Sequence, residues 1–196
     1  DYGGPEVLRV MDVPEPTPGH GEVMVDVVAS ALNRADLLQR MGLYPGPSME
    51  YEVPGLEFAG RVASVGEAVG RWLVGDEVMA ITSGGAHAGQ AVVHADQAMA
   101  VPAGMSLADA GALPEVFITA WDALVLQGGL QPGGTALVHA GASGVGTAAI
   151  QLCRSMGAEV VVTASGPKCA ACTELGASLA VDYATDDWLA AVRDHT

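Results

Sequence analysis

The apolar run Thr135-Ala136-Leu137-Val138 leads directly into His139-Ala140-Gly141-Ala142-Ser143-Gly144-Val145-Gly146, and an amphipathic segment begins at Thr147. Strand, glycine turn and helix start in immediate succession are the parts with which a Rossmann unit holds a dinucleotide pyrophosphate at a helix N-terminus. In the G-x-G-x-x-G pattern the first glycine permits the tight turn, the second lets backbone approach the pyrophosphate, and the third lets helix and strand pack closely. Those positions fall on Gly141, Ser143 and Gly146. Ser143 departs from the pattern, and its side chain is expected to hold the phosphates slightly farther off or to hydrogen-bond them itself. Gly144 keeps the turn flexible, and Ala140 and Val145 complete the candidate phosphate-binding turn. Small residues also let any strand and helix pack closely, so the flanking elements carry the argument.

The second strand of such a unit is Glu159-Val160-Val161-Val162-Thr163-Ala164. NAD-dependent folds place an acid at its end to bind the ribose 2′-hydroxyl. Here the strand runs into Ser165-Gly166-Pro167-Lys168 instead. A hydroxyl and an ammonium, with no carboxylate to repel a dianion, suit the 2′-phosphate of NADPH. The alternative is a polar turn with a solvated lysine, against which stands the scarcity of basic residues, 8 in the whole chain.

Upstream, the texture is different. Residues 6–30 alternate as strands do, over Val7–Val13 and, after a Pro/Gly turn at 14–21, over Glu22–Ala29. Leu32–Met41 has helical spacing with Asn33 as its cap, and a Gly/Pro loop, Gly42-Leu43-Tyr44-Pro45-Gly46-Pro47, follows. Further strands are expected at Glu57–Val65, Glu77–Ile81 and Gln90–Val93, separated by glycine turns. Many short strands of this kind predict a small, partly open β-barrel. From Ser106 the pattern becomes helical, with a short helix to Leu113 and a longer one from Pro114 to Gln127. The expected division is therefore a β-barrel domain over 1–113 and an α/β domain over 114–196.

With 196 residues, half of them apolar, the chain buries a sizeable core. Its formal charge of −15 offers no cationic footprint for nucleic acid or anionic lipid. No apolar run approaches the ~20 residues of a membrane-spanning helix, and the chain reads as cytoplasmic, with no membrane or nucleic-acid partner. There is no initiating Met, and after Gly146 there is room for only about half of a six-stranded dinucleotide fold, so the sequence is expected to be a fragment whose barrel lacks its first strand. Cys153, Cys169 and Cys172 do not suggest a disulfide framework. Cys169 and Cys172 form a CxxC in an Ala/Leu-rich context that reads as helix rather than as zinc or redox chemistry.

Four segments taken together resemble one family: Ala29-Ser30-Ala31-Leu32-Asn33-Arg34-Ala35-Asp36-Leu37, Val53-Pro54-Gly55-Leu56-Glu57-Phe58-Ala59-Gly60, Leu113-Pro114-Glu115-Val116-Phe117-Ile118-Thr119-Ala120-Trp121, and His139 through Leu152. The family is the zinc-independent quinone oxidoreductases, zeta-crystallin-like, of the medium-chain dehydrogenase/reductases, and the likeness runs closest to the p53-inducible type and its bacterial relatives. The resemblance implies a GroES-like barrel domain followed by a Rossmann doubly wound parallel-sheet domain, here truncated, with NADPH in the cleft between them, usually in a homodimer or homotetramer. Zinc-dependent relatives carry a catalytic Cys where this chain has Asn33 and a His where it has Leu56. Without a Lewis-acid metal, hydride transfer suits an easily reduced acceptor such as a quinone.

The same resemblance implies site residues. Tyr44 matches a tyrosine on the substrate side, where it hydrogen-bonds a quinone oxygen as charge develops; the alternative is an aromatic packed under a loop. Asn33 is either a helix cap only or a member of the substrate cleft. Thr119 is expected against the nicotinamide end of the cofactor, and Lys168 and Tyr183 at the adenosine 2′-phosphate, although the turn from Ser165 to Lys168 is one residue shorter than the family's usual G-S-x-x-K. Asp36 and Glu57 read equally well as solvated or structural carboxylates and are not placed among the catalytic residues. The expected function is NADPH-dependent reduction of quinones. The alternatives are an enoyl or alkenal reductase acting on an activated alkene, and a non-catalytic NADPH-binding, crystallin-like protein.

Overall fold

The computed structural model describes residues 2–44 and 51–196, which fall into two compact units, Asp1–Glu115 and Val116–Thr196. Among the described residues no helix is long and apolar enough to cross a membrane.

The first unit is a five-stranded antiparallel sheet in the order β4-β1-β2-β3-β5, formed by β1 (Glu22–Ser30), β2 (Glu57–Val65), β3 (Glu77–Ile81), β4 (Gln90–His94) and β5 (Ala98–Ala100). Alternation along β1 and β3 turns Val23, Val25 and Val78 into a core with Phe58, Val62 and Trp72. Trp72 is buried to 7 % exposure, and its indole N–H is satisfied by the Ala95 carbonyl at 2.8 Å. Two register shifts along β1, at Met24/Val25 and Val27/Ala29, bend the pair β1–β2. Gly60 sits opposite Val27, and a Cβ there would lie 2.0 Å from the Asp26 carbonyl oxygen, so only glycine lets the two backbones approach this closely. The curled sheet bears out the barrel-type expectation. Helix α1 (Arg34–Arg40) follows β1, and the short α2 (Leu107–Ala110) packs near β1 and β2, capped by Ser106, whose Oγ accepts from the Asp109 N–H at 3.1 Å.

One expected strand does not form. The alternation of Val7–Val13 is real, yet Pro5–Val7 is a 3₁₀ turn and residues 8–13 join no sheet among the described residues. Leu8, Val10 and Met11 are exposed, which shows the reason: alternation makes a strand only where a neighbour supplies ladder partners and a surface to cover. The Gly/Pro loop was expected over 42–47; Gly42 has φ +73 and Tyr44 lies in a bend, whereas residues 45–47 fall outside the described residues.

The second unit alternates strand and helix. Helix α3 (Pro114–Trp121) opens it across the division between units and continues through a π-helical stretch, Asp122–Gln127, so the long helix expected over 114–127 is present with a wider last segment. Then follow β6 (Thr135–His139), α4 (Gly144–Met156), β7 (Glu159–Ala164), α5 (Gly166–Leu175), β8 (Leu179–Asp182) and α6 (Trp188–His195). The three strands are parallel, in the order β6-β7-β8, which is the 3-2-1 half of a dinucleotide sheet. β7, between two neighbours, is a continuous buried run, and Val160 and Val162 pack with Ile150 and Cys153 of α4 and Cys172 of α5. Cys172 and Cys169 therefore lie on a helix, as their context predicted, and burial raises both thiols above their usual range.

Candidate functional site

The glycine turn is built by close approach. The Gly141 N–H donates to the Thr163 carbonyl of β7 at 2.9 Å, and a Cβ on Gly141 would lie 2.5 Å from that of Val162. A Cβ on Gly146 would lie 2.4 Å from the Ala140 carbonyl oxygen, so the first turn of α4 folds directly onto the chain that leaves β6. The left-handed residue of the turn is Ala140, at φ +55, and not the first glycine. Gly144 faces Val116, whose Cγ1 would be 3.0 Å from an added Cβ, so its small size serves packing against the start of α3.

Ser143 adds a structural role to its expected one. It is the N-cap of α4, and its Oγ accepts from the Gly146 N–H at 3.0 Å. The side chain is turned onto the helix, which is what a cap does in satisfying an orphan donor, and the hydroxyl keeps its own O–H as a donor. The N–H groups of Gly144 and Val145, first in the helix, have no intrahelical acceptor and carry the positive end of the α4 dipole. A pyrophosphate fits this arrangement: two glycines at points of close approach, a capped helix start and donors at its tip.

At the end of β7, Ser165 stands at the N-cap of α5 without a side-chain capping bond, and the Lys168 N–H donates to the Ser165 carbonyl at 2.8 Å. Lys168 is exposed in the first turn, and Tyr183 is exposed just past β8. Ser165, Lys168 and Tyr183 thus cluster at the carboxyl end of the parallel strands, the face where such sheets bind ligands. The premise that no carboxylate stands there is corrected: a Cβ on Gly166 would lie 2.4 Å from Oδ2 of Asp182. The acid comes from the third strand, whereas the pattern had been sought on the second.

In the first unit, a chain of polar side chains runs inward from the end of β1. Ser30 Oγ and His87 Nδ1 are 3.0 Å apart, and His87 Nε2 lies 3.6 Å from Oδ2 of the buried Asp36. Asp36 Oδ2 accepts from the Asn33 N–H at 2.7 Å, closing the entry to α1. The Asn33 side-chain amide donates to Oε1 of Glu57 at 2.7 Å, and the Glu57 Oε2 accepts from the Glu115 N–H at 3.0 Å. Glu57 is 1 % exposed, and Leu56 beside it is also buried. Desolvation raises the Glu115 carboxyl above the usual range, and the negative charges of Glu57 and Asp36 add to the rise.

Asn33 is thus at the N-cap position, as the sequence suggested, but its amide serves Glu57. Tyr44 is exposed at the edge of the described segment, and Thr119 is exposed on α3. Asp36 and Glu57, both buried and neither solvated, belong to the same network as Asn33, and so do Ser30 and His87, which carry no sequence signal of their own. Nothing local distinguishes a single histidine in Gly84-Gly85-Ala86-His87; its place depends on backbone bonds from Gly85 and His87 to the carbonyls of Val53 and Pro54.

Comparison with known proteins accords with both units. The model of the alcohol dehydrogenase GroES-like domain matches residues 19–128, and that of the zinc-binding dehydrogenases matches residues 144–196. The synaptic vesicle membrane protein VAT-1 homolog of Homo sapiens is 38 % identical over 191 residues, which are 96 % of this chain and 49 % of that protein. The chain thus spans about half the length of that curated relative. Among solved structures, the Escherichia coli quinone oxidoreductase complexed with NADPH superposes with a TM-score of 0.89 at 30 % identity, over 100 % of this chain and 60 % of the other. The CurK enoyl reductase gives a TM-score of 0.90 at 31 % identity, over 100 % and 61 %.

Proposed function

Because the chain belongs to the quinone oxidoreductase family of the medium-chain dehydrogenase/reductases, we propose that the protein of which it is part reduces quinones with NADPH and without zinc. The observation that carries this reading is the Asn33–Glu57 hydrogen bond. Where zinc-dependent relatives are expected to present a thiolate, this chain presents a neutral amide that is already engaged. Leu56, in the place of their histidine, is apolar and buried. A positive metal ion gains little from an amide and an alkyl group, so the acceptor must be one that takes electrons without a Lewis acid.

Bound at the glycine turn, a reduced nicotinamide cofactor supplies two electrons as hydride. The chain's own contribution is binding and orientation. The N–H groups of Gly144 and Val145 receive the pyrophosphate, Ser165, Lys168 and Tyr183 take the adenosine end, and Thr119 is assigned to the nicotinamide end. Tyr44 is assigned a hydrogen bond to the acceptor oxygen, which strengthens as negative charge develops. Asn33 and the Glu115 N–H hold the buried Glu57 carboxylate fixed, and with it the start of α1. A small-molecule quinone is the proposed partner, in a homodimer or homotetramer of the full-length protein acting in the cytoplasm.

The likeness to the CurK enoyl reductase supports a second reading, reduction of an alkene activated by a carbonyl. The two are separated by NADPH oxidation assays on the full-length protein with quinones, enones and enoyl thioesters in parallel. Quinone turnover that survives a chelator is expected. Turnover of enones or enoyl thioesters alone favours the second reading, and loss of activity on chelation removes the zinc-free assignment.

A further inference from the structure

We infer that Asp182 weakens the preference of the dinucleotide site for NADPH over NADH by holding a carboxylate at the point where the two differ. This rests on reading the glycine turn as a nicotinamide dinucleotide site. Ala164 and Asp182 are register partners and the last residues of β7 and β8, so Asp182 leaves the sheet beside the turn that enters α5. In a doubly wound fold that turn meets the adenosine ribose, and the recognising acid stands at the end of the second strand. Here the second strand ends without one. The carboxylate arrives from the neighbouring strand instead.

Its placement is held on two sides. Oδ1 accepts from the Ala184 N–H at 3.0 Å, which fixes the side chain. Oδ2 then occupies the space a Cβ would take on Gly166, the first residue of α5. Gly166 thus makes room for the carboxylate, and a negative group beside the first turn of a helix is favoured by the helix dipole. Its field reaches into the helix: after burial, the charges of Asp182 and Asp186 hold up the Cys169 thiol. The opposing charge is Lys168, which no salt bridge among the described residues engages.

The consequence follows from the two ligands' chemistry. Ribose hydroxyls are donors that a carboxylate accepts. A 2′-phosphate carries about −1.5 to −2 charges at pH 7 and offers acceptors only. Asp182 therefore favours NADH and works against the attraction of Lys168 for NADPH.

Dissociation constants of NADPH and NADH for the full-length protein, measured by fluorescence titration, test this directly. Asp182→Asn keeps an oxygen for the Ala184 N–H, and Asp182→Ser is a second neutral variant should the first fold poorly. Both are expected to tighten NADPH by about tenfold at low salt relative to NADH. Asp182→Glu should keep the original ratio of the two constants. An unchanged ratio in the neutral variants overturns the inference. If wild-type protein binds neither nucleotide, it is the dinucleotide reading itself that fails.

Discussion

The side-chain amide of Asn33 donates to Glu57 Oε1 at 2.7 Å, and Glu57 is almost wholly buried. A buried carboxylate is tolerated only when its oxygens are paired, and this one has a partner on each oxygen. Asn33→Ala leaves Oε1 without its donor, and a cost of about 1–3 kcal/mol is expected. Urea unfolding should show a lower midpoint with an unchanged slope. A midpoint equal to wild type would mean that water or another donor replaces the amide.

Glu115 supplies the pH dependence of the same cluster. Desolvation, then Glu57, then Asp36 raise its carboxyl above the ordinary value of 4.5. The folded state therefore holds this proton more tightly than the unfolded chain, and its contribution to stability is present below the ordinary value and lost as pH climbs through the raised one. Glu115→Gln removes that loss. Thermal melts of variant and wild type should diverge in favour of the variant as pH rises from about 4.5 toward neutrality, and parallel curves across that range would show that Glu115 is not the group responsible.

How much of this was legible depends on how local the cause is. β2 and β3 were readable because hydrophobic patterning and glycine turns fix both their type and their ends, and β7 because a buried parallel strand is a continuous apolar run. The three-residue β5 carries too little pattern to be read, and Val7–Val13 carries the pattern but, among the described residues, has no neighbour to pair with. The glycine turn is legible from its spacing, but the cap made by Ser143 is not, since spacing does not say which helix donor a hydroxyl meets. Asp182 and His87 were out of reach for another reason. Each gains its meaning from a residue distant in sequence, Gly166 for one and Asp36 and Ser30 for the other.

Ala140 holds φ +55 in the turn, a left-handed conformation that an L side chain adopts at a cost of about 1–2 kcal/mol. Glycine adopts it freely but loses more backbone entropy on folding. The balance favours Ala140→Gly by about 0.5–1 kcal/mol. Differential scanning calorimetry should show a small rise in Tm, and a fall would mean that the Ala140 methyl makes contacts worth more than the strain.

Gly141 and Gly146 are expected to respond differently to the same small change. A Cβ on Gly141 meets the Val162 side chain at 2.5 Å, while one on Gly146 meets the backbone of Ala140 and Gly141 at 2.4 and 2.6 Å. The Val162 Cβ moves only with its own backbone, so relief there comes from a small shift of β7, at about 1–3 kcal/mol for overpacking. The backbone of a capped turn has no such freedom, so Gly146→Ala must lift α4 away from the turn and with it the Gly144 and Val145 N–H groups. Gly141→Ala should thus lose stability while retaining measurable dinucleotide affinity. Gly146→Ala should lose dinucleotide affinity more than its own drop in Tm accounts for. Equal losses of affinity in the two variants would show that the clash with Val162, too, is relieved by moving the turn.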